Sequence, residues 1–370
     1  MEETITNSCR RPNYLLWGVL GFAGGLALKQ FIAQKNEISL DGKTALVTGG
    51  SRGLGLLIAQ ELLAQGATVA ICARDAEELE RAKLHLSQFG AASRIFTFTG
   101  DISNQETAEA IVHDTISELG RLDILINNAG VITVGPAQEM KLADFEQSMN
   151  TNFYGALHMI YAALPHFRAR KSGRIVNISS VGGRISVPHL LPYSCSKFAL
   201  TGLSEGLRAE LQRDGITVTT ILPGTLRTGS HYQAYAKGNQ EAEFTAFTLA
   251  ATLPVISLAA ETAAKQTVQA LRRGEAERIL SFPAQIQTAF HSLFPGTLAD
   301  ILGCVNTYLL PDPTGVEVKN TGKTIAQRIS SPILKALTSL GDNAAERLNQ
   351  QPPKRTLPPV TVEQTGDGIL

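Results

Sequence analysis

Seven short β-rich runs alternate with segments of helical periodicity, and this alternation constrains the fold more than any other feature of the chain. The runs lie near residues 44–48, 68–72, 95–98, 123–126, 174–178, 216–221 and 277–281. Strands separated by helices form a parallel sheet with helices on both faces and ligands at the carboxyl ends of the strands. We therefore predict an α/β fold, a doubly wound parallel sheet of about seven strands flanked by helices in a single domain, with appended C-terminal helices.

A glycine-rich loop lies between the first predicted strand and the first predicted helix. Residues 48–55 read TGGSRGLG, and Leu57, Ile58 and Leu62 continue the apolar pattern at helical spacing. Glycines let a backbone turn tightly and approach phosphates without a Cβ in the way. Backbone N–H groups at the N-terminus of a helix then hold a diphosphate. The loop alone is a weak signal, but its position between a strand and a helix favours a Rossmann-type dinucleotide site.

A tyrosine and a lysine lie one helical turn apart in the run Tyr193-Ser194-Cys195-Ser196-Lys197. Residues at i and i+4 project from the same face of a helix, so the ammonium can lie near the phenol. A free phenol has a pKa of about 10, which is too high for efficient proton exchange near neutrality. A nearby cation lowers that pKa toward the working range. We therefore expect the pair to transfer protons.

The loop and the pair, taken with several other motifs, resemble the main branch of the short-chain dehydrogenase/reductase family. TGGSRGLG is similar to the TGxxxGxG cofactor motif, and residues 127–130 spell the NNAG motif. The resemblance covers roughly residues 40–282 and implies the Rossmann-type fold. The further matches are the acidic residue Asp101, the asparagine Asn152, the strand 174–178 that leads to Ser180, and Pro223-Gly224 followed by Thr228.

The resemblance implies a role for each of four catalytic side chains. Tyr193 exchanges a proton with the substrate oxygen while the nicotinamide exchanges hydride, and Ser180 hydrogen-bonds that same oxygen. Lys197 lowers the pKa of Tyr193 and holds the nicotinamide ribose, and Asn152 anchors a water that links Lys197 to solvent. The implied cofactor-binding residues are Gly49, Ser51, Arg52, Gly53, Leu54, Gly55, Arg74, Asp101, Ile102, Asn128, Ala129, Gly130, Tyr193, Lys197, Pro223, Gly224 and Thr228.

The end of the second predicted strand favours NADP(H) over NAD(H). A carboxylate there would bind the ribose hydroxyls of NAD and repel a 2′-phosphate, but the position carries Ala73. Arg74 follows it and Arg52 lies within the glycine loop, and guanidinium groups suit a phosphate. Asp75 is the competing ribose ligand. We favour an N-cap role for Asp75 because a helix-forming segment follows it.

Charge and cysteine content exclude several other classes of function. The 33 basic and 33 acidic residues balance, so no general attraction to nucleic acid is expected. The four cysteines are scattered without CxxC spacing and the seven histidines form no HExxH-type motif, so no metal site is predicted. Cys195 lies on the opposite side of its helix from the Tyr193–Lys197 face, and we interpret it as structural. We expect a homo-oligomer.

The N-terminal segment is apolar and follows two arginines. Residues 14–28 carry no charge, and the segment reaches the about 20 residues of a bilayer span only by extension to residue 33, which includes Lys29. A lysine near a helix end can snorkel to the interface. We expect residues 1–37 to anchor a cytoplasmic catalytic domain to a membrane through residues 14–33. The alternative is a helix packed on the protein's own core or on a partner.

Two segments follow the dinucleotide-binding domain, which we place at residues 38–282. Residues 283–319 contain short apolar helices, and with the apolar stretch 244–256 they predict a lid over an apolar substrate. A dimer contact or packing on the core is the alternative. His189, shortly before Tyr193, is a candidate for the pocket lining or for a core position. Residues 320–370 are predicted as a polar, partly disordered tail with one helix near residues 325–340.

These expectations predict an NADP(H)-dependent oxidoreductase that interconverts a carbonyl and an alcohol, with an apolar substrate. One alternative is an NAD-dependent alcohol dehydrogenase of the same family. A second is a protein that senses the cofactor without turnover. Sensing predicts loss of the serine, tyrosine or lysine, whereas Ser180, Tyr193 and Lys197 are all present.

Overall fold

The computed structural model describes residues 37–254, 256–329 and 332–350, so the predicted anchor and residues 351–370 lie outside the described residues. The strands fall where the sequence predicted them, and five short ones are added outside the main sheet. In chain order they are β1 (Thr44–Thr48), β2 (Thr68–Ala73), β3 (Ile95–Thr99), β4 (Ile124–Asn127), β5 (Thr133–Val134), β6 (Gly173–Ile178), β7 (Ile216–Leu222), β8 (Leu226–Arg227), β9 (Tyr235–Ala236), β10 (Leu258–Ala259), β11 (Glu277–Ile279) and β12 (Asn320–Thr321).

Helices connect the strands of the main sheet, and four more helices follow its last strand. In chain order they are α1 (Gly53–Ala64), α2 (Ala76–Leu86), α3 (Gln105–Leu119), α4 (Leu142–Met149), α5 (Gly155–Arg170), α6 (Leu191–Leu211), α7 (Gln240–Thr252), α8 (Ala260–Arg273), α9 (Phe282–Leu293), α10 (Pro295–Leu309), α11 (Gly322–Ala326) and α12 (Pro332–Arg347). The predicted single helix near residues 325–340 is therefore two helices, α11 and α12.

The main sheet has seven parallel strands in the order β11-β7-β6-β4-β1-β2-β3. The doubly wound α/β prediction is confirmed. The strand order reverses beside β1, where β2 lies on one side and β4 on the other. Such a reversal opens a crevice at the carboxyl ends of the strands, and open α/β sheets bind their ligands there.

Apolar side chains pack on both faces of this sheet, which explains why its strands read as nearly continuous apolar runs. One face is covered by α1, α2 and α8, and the other by α3, α5 and α6. Strand β1 shows the division, because Val47 points into the first cluster and Leu46 into the second. Both side chains are fully buried. The sheet is thus a rigid base for the loops at its carboxyl edge.

The C-terminal residues belong to the packed fold through residue 350, although a polar tail was predicted from residue 320. Strand β12 pairs antiparallel with β9, which in turn pairs with β5. Ile325 on α11 is fully buried against Phe244 of α7. Ala344 and Leu348 join the core cluster on the α1 face of the sheet. These few buried contacts were not predicted, because the segment that contains them is polar overall.

Helices α9 and α10 form the apolar extension that was predicted after residue 282. They are largely uncovered in the structure: Phe282 and Leu293 are each 72 % exposed and Tyr308 is 80 % exposed. Their inner side packs on the loop after β6 through Ala284, beside Val181 and other apolar side chains. Within the described part of the chain, every helix is too short or too polar to cross a bilayer.

Candidate active site

The glycine loop joins the carboxyl end of β1 to the N-terminus of α1, as predicted. Gly49 and Gly53 adopt positive φ angles of 62° and 56°, which favour glycine over residues with a side chain. A Cβ on Gly55 would lie 2.3 Å from the carbonyl oxygen of Gly49 and 2.4 Å from Nδ2 of Asn128. The loop therefore needs glycine at positions 49 and 53 for their backbone conformation and at position 55 because a side chain has no room there. It brings the N-terminus of α1 toward the crevice, the geometry that suits a diphosphate.

The NNAG segment fixes the glycine loop from the neighbouring strand, β4. Asn128 Nδ2 donates to the carbonyl oxygens of Thr48 and Gly49 at 3.0 and 3.1 Å. The Thr48 hydroxyl accepts hydrogen bonds from the backbone N–H groups of Asn128 and Ala129 at 3.0 and 3.1 Å. Gly130 continues past this contact toward Asn152 and Lys197, whose side chains lie 3.1 and 3.7 Å from its ideal Cβ position. The motif thus links the glycine loop to the predicted catalytic side chains.

The structure brings Ser180 and Tyr193 together at the carboxyl end of β6. Ser180 follows the strand, and its side-chain oxygen accepts a hydrogen bond from the Gly182 N–H at 2.9 Å. Burial raises the pKa of the Tyr193 phenol, and the nearby Ser180 hydroxyl offsets part of that rise. The residue as a whole is partly exposed, and the raised pKa reflects the surroundings of its hydroxyl. This direction differs from the sequence expectation, because burial outweighs the opposing effect of the Ser180 hydroxyl.

Lys197 lies one turn further along α6, and its side chain is buried. Its Nζ donates to the carbonyl oxygen of Ile178 at 2.8 Å and lies 5.7 Å from the centre of the Tyr193 ring. Burial lowers the pKa of Lys197 to about 8. The ammonium is thus still protonated at neutral pH, and it lies close to the place where a phenolate would form.

Asn152 is held in a π-helical turn, Asn150–Tyr154, between α4 and α5. Turns of this type insert one extra residue into a helix and are frequent at functional sites. The Asn152 side chain accepts from the Val131 N–H at 2.8 Å and donates to the Ser196 hydroxyl at 2.9 Å. The asparagine is therefore fixed beside the helix that carries Tyr193 and Lys197. Its predicted water relay stays a prediction.

Asp75, just after β2, was a candidate both for a ribose ligand and for the N-cap of α2. Its carboxylate accepts a hydrogen bond from the Glu78 N–H at 3.0 Å and caps α2, as predicted. Arg74 is exposed, and its nearest acidic partner is Asp101, whose Oδ2 lies 3.8 Å away. Since both side chains of that pair are exposed, the contact is weak. Arg74 is thus available to another anion.

Arg52 is not available in the same way. Its guanidinium forms an ion pair with the Glu78 carboxylate at 2.6 and 2.8 Å, and the Ser51 hydroxyl donates to that carboxylate at 3.1 Å. Arg52 and Ser51 were predicted to bind the cofactor, and the contact of both with Glu78 was not predicted. That residue lies in the acidic stretch Glu77–Glu80, and nothing in the sequence distinguishes it from its solvated neighbours.

The remaining predicted cofactor residues line the same carboxyl edge. Asp101 accepts hydrogen bonds from the N–H and hydroxyl of Ser103 at 3.0 and 2.8 Å, while Leu54 and Ile102 are buried. The Pro223 carbonyl accepts from the Val181 N–H at 2.8 Å, which ties the loop after β7 to the loop that carries Ser180. The other two residues of this edge are Gly224, beside Ser281, and Thr228, which is buried.

Phe244 and the helices α9 and α10, which were predicted to form a lid over an apolar substrate, lie in different surroundings. Phe244 packs inward against Ile325 of α11, so the α7 part of the lid belongs to the core. A cleft of about 520 Å³ instead lies between the loop before α6 and the end of α10, where His189 and Thr307 are among its lining residues. His189 is also a buried residue, with its Nδ1 at 2.7 Å from a carboxylate oxygen of Glu243.

The family model for short chain dehydrogenases matches residues 43–238. The chain belongs to the short-chain dehydrogenase family. A solved short-chain dehydrogenase from Streptomyces avermitilis has the same fold, with a TM-score of 0.63 and 28 % identity. The match covers 74 % of this chain and 100 % of that one. The family assignment makes the chain an oxidoreductase of a family that binds NAD(P)(H).

Curated relatives agree with this assignment over the core of the fold. A dehydrogenase/reductase SDR family protein 7-like from Anopheles gambiae is 36 % identical, over 55 % of this chain and 66 % of its own length. A fatty acyl-CoA reductase from Acinetobacter baylyi is 35 % identical, over 51 % and 64 %. An 11-beta-hydroxysteroid dehydrogenase-like 3 from Arabidopsis thaliana is 34 % identical, over 61 % and 73 %. The chain thus spans somewhat less than two thirds of the length of the fatty acyl-CoA reductase and just under two thirds of the Anopheles protein.

Proposed function

We propose that this short-chain dehydrogenase interconverts a carbonyl and an alcohol with NADP(H), using Tyr193 as the proton donor and acceptor. One observation carries the proposal. The Tyr193 ring lies beside Ser180, since both approach the ideal Cβ position of Gly182 to 3.3 Å, and 5.7 Å from the buried ammonium of Lys197, at the same sheet edge as the glycine loop. A positioned acid, a hydroxyl that orients the reacting oxygen and a cation are what carbonyl reduction needs.

The residues of this site handle the proton, while a nicotinamide supplies or accepts the hydride when it is bound. In reduction, Tyr193 gives its phenolic proton to the carbonyl oxygen. Ser180 donates a hydrogen bond to that oxygen as negative charge develops on it. Lys197 then lies close to the phenolate, and its positive charge stabilises it. In oxidation, the same groups return the proton from the alcohol to Tyr193.

The choice of NADP(H) rests on the end of β2. Ala73 occupies the position where a carboxylate would repel a 2′-phosphate, and Asp75 caps α2. Arg74 is exposed beside it and has only a weak acidic partner. Arg52 can join Arg74 only by exchanging its contact with Glu78 for a contact with phosphate. We therefore assign the main 2′-phosphate contact to Arg74.

An apolar substrate is the second part of the proposal. The exposed apolar faces of α9 and α10 adjoin the loop after Ser180, and the cleft beside His189 opens next to them. Two of the relatives carry names that refer to a hydroxysteroid and to a fatty acyl-CoA, both of which are large and apolar. The proposal for this chain is a ketone or alcohol of that general size and polarity.

A substrate series tests both parts. NADPH oxidation is measured with the full chain over ketones and aldehydes graded by chain length and ring number, with Ser180→Ala as the inactive comparison. We expect turnover that rises with apolar size. A preference for small polar carbonyls would contradict the apolar substrate. Absence of turnover across the series, in both directions and with both cofactors, would contradict the proposed reaction.

Two further proposals concern the whole protein. The segment 14–33 is proposed to hold the protein at a membrane, and fractionation of the full chain beside a version without residues 1–35 tests this. Removal of the segment should release the protein to the soluble fraction.

A homo-oligomer is proposed as well. Light scattering coupled to size-exclusion chromatography measures the mass of the assembly directly.

A further inference from the structure

The last described residues of the chain lie directly on the glycine loop. The Gly53 N–H donates to the carbonyl oxygen of Leu348 at 2.9 Å. Asn349 Nδ2 donates to the Ser51 carbonyl oxygen at 2.8 Å. The Gln350 side chain lies so close to Gly53 that its Nε2 would be 2.8 Å from a Cβ built there. We call Leu348, Asn349 and Gln350 the C-terminal strap.

The strap is held at several points. Asn349 also donates to the carbonyl oxygen of Glu78 at 3.0 Å and accepts from Arg81 Nε at 3.0 Å. On the other side of the loop, Gln233 Nε2 donates to the Gln350 carbonyl oxygen at 2.7 Å. The Leu348 side chain is buried in the core cluster that contains α1. The strap is thus a specific contact that bridges α2, the glycine loop and the loop after β8.

The contact uses groups that a dinucleotide needs. A diphosphate at this loop accepts hydrogen bonds from backbone N–H groups at the start of the helix, and the Gly53 N–H is one of them. In the structure that N–H is used by Leu348, and the space beside Gly53 is filled by Gln350. The Gly53 N–H and the space beside Gly53 can be occupied by the strap or by a diphosphate, but not by both at once.

We propose that the C-terminal strap is an autoinhibitory element that a nicotinamide dinucleotide must displace from the glycine loop. The proposal rests on the proposed function for the identity of the cofactor. Since the binding-competent state is the strap-open state, the observed affinity is lowered by the fraction of molecules with the strap closed. Any partner or modification that withdraws the strap therefore activates the enzyme without a change in the catalytic residues.

The strap can open without unfolding the domain because its contacts with the glycine loop are local hydrogen bonds and Leu348 is its single apolar anchor. Among the described residues, buried Gln350 Oε1 meets no hydrogen-bond donor, so the contacts described for the closed position leave this acceptor unsatisfied. The helix before it, α12, has its own anchors: Tyr232 donates to Asp342 at 2.8 Å and Arg347 pairs with Glu261 at 2.9 Å. These anchors can keep α12 in place while the last three residues move.

Asn349→Gly is the sharpest variant for a test. It removes the three side-chain hydrogen bonds of the strap, and glycine accepts the positive φ of 57° at this position without strain. Asn343→Ala is the matched control, because Asn343 is an exposed asparagine of α12, the helix that precedes the strap. The probe is ADP-ribose, which carries the diphosphate without the nicotinamide, titrated by calorimetry. We expect Asn349→Gly to bind it roughly tenfold or more tightly than wild type, and Asn343→Ala to bind as wild type does.

Hydrogen exchange tests the displacement directly in the unmodified chain. The N–H groups of Leu348 and Gln350 donate to Ala344 and Ala345, so their exchange reports on the closed strap. Saturating ADP-ribose should accelerate exchange at residues 348–350 by about tenfold or more. Unchanged or slower exchange there, or equal ADP-ribose affinity of wild type and Asn349→Gly, would overturn the proposal. Failure of the proposed function has a different signature: Asn349→Gly binds ADP-ribose tightly but turns over no carbonyl with NADPH.

Discussion

At the carboxyl edge of the sheet, acidic side chains of the protein contact the same arginines that were predicted to bind a phosphate. Arg52 is bound by Glu78, whereas the acidic contact of Arg74 within the described residues is a long, exposed one with Asp101. Both arginines were predicted from the sequence as phosphate ligands, because a guanidinium at a strand end is visible there. The contact with Glu78 was not predictable, since it depends on how α2 lies against the glycine loop.

Arg74→Ala tests the assignment of the 2′-phosphate contact. A hydrogen bond to a charged group contributes about 1.5–3 kcal/mol, so the Kd for NADPH should rise about 10- to 100-fold while the Kd for NADH stays within twofold. The measurement is fluorescence titration with both cofactors. Arg213→Ala, at the opposite end of the sheet before β7, is the control for loss of a positive charge. An equal loss of affinity for both cofactors would contradict the assignment.

The lowered pKa of Lys197 predicts a pH dependence of activity. The buried ammonium loses its proton near pH 8, whereas an unfolded lysine keeps it to about 10.5. We expect kcat/KM for reduction to fall as the pH rises above about 8, because the phenolate then loses its neighbouring cation.

The contribution of Lys197 to the stability of the fold should rise with pH over the same range in which the activity falls. Between pH 8 and about 10.5 the unfolded chain binds more protons at Lys197 than the folded one, so its contribution to the free energy of unfolding rises with pH. Loss of activity above pH 8 should therefore occur without loss of folded protein, as followed by circular dichroism on the same samples. A rate that stays flat to pH 10 would contradict the role of Lys197.

At the scale of secondary-structure elements, the glycine loop packs between β1, β4 and α1. The sequence predicted this arrangement because the loop follows a local rule: glycines stand where a strand turns into a helix. Gly55 is required by space, since Asn128 and the Gly49 carbonyl lie against it. The role of Thr48 as the acceptor for two N–H groups of the next strand was missed. It depends on strand order, which no single segment encodes.

Gly55→Ala should destabilise the protein. A Cβ there would meet backbone at 2.3 Å, and overpacking of this kind costs about 1–3 kcal/mol. Gly202→Ala is the matched control: Gly202 is exposed on α6 with nothing within 4 Å of the added Cβ, so it should gain up to about 1 kcal/mol from helix propensity. Urea denaturation measures both. Equal stability of the two variants would show that the loop has more room than its contacts indicate.

The whole molecule differs from its sequence prediction mainly at its C-terminal end. Alternation of strands and helices was sufficient to predict the main sheet, because each element follows its own local periodicity. Residues 320–370 were predicted as a polar, partly disordered tail with one helix, yet in the described part of this segment Ile325 and Leu348 are buried against distant helices. A few apolar residues in a polar segment give no periodic signal, so both the packing of α12 and the position of the strap were beyond sequence reasoning.

The central claim is that Tyr193 exchanges the proton with the substrate oxygen, and Tyr193→Phe tests it most directly. The variant keeps the ring and removes only the hydroxyl, so NADPH should bind with a Kd within about threefold of wild type. Steady-state turnover on the best carbonyl of the series should fall by about 10²- to 10⁴-fold. Tyr161→Phe, an exposed tyrosine on α5, should retain full activity. Near-normal turnover by Tyr193→Phe, with the cofactor still bound, would contradict the account.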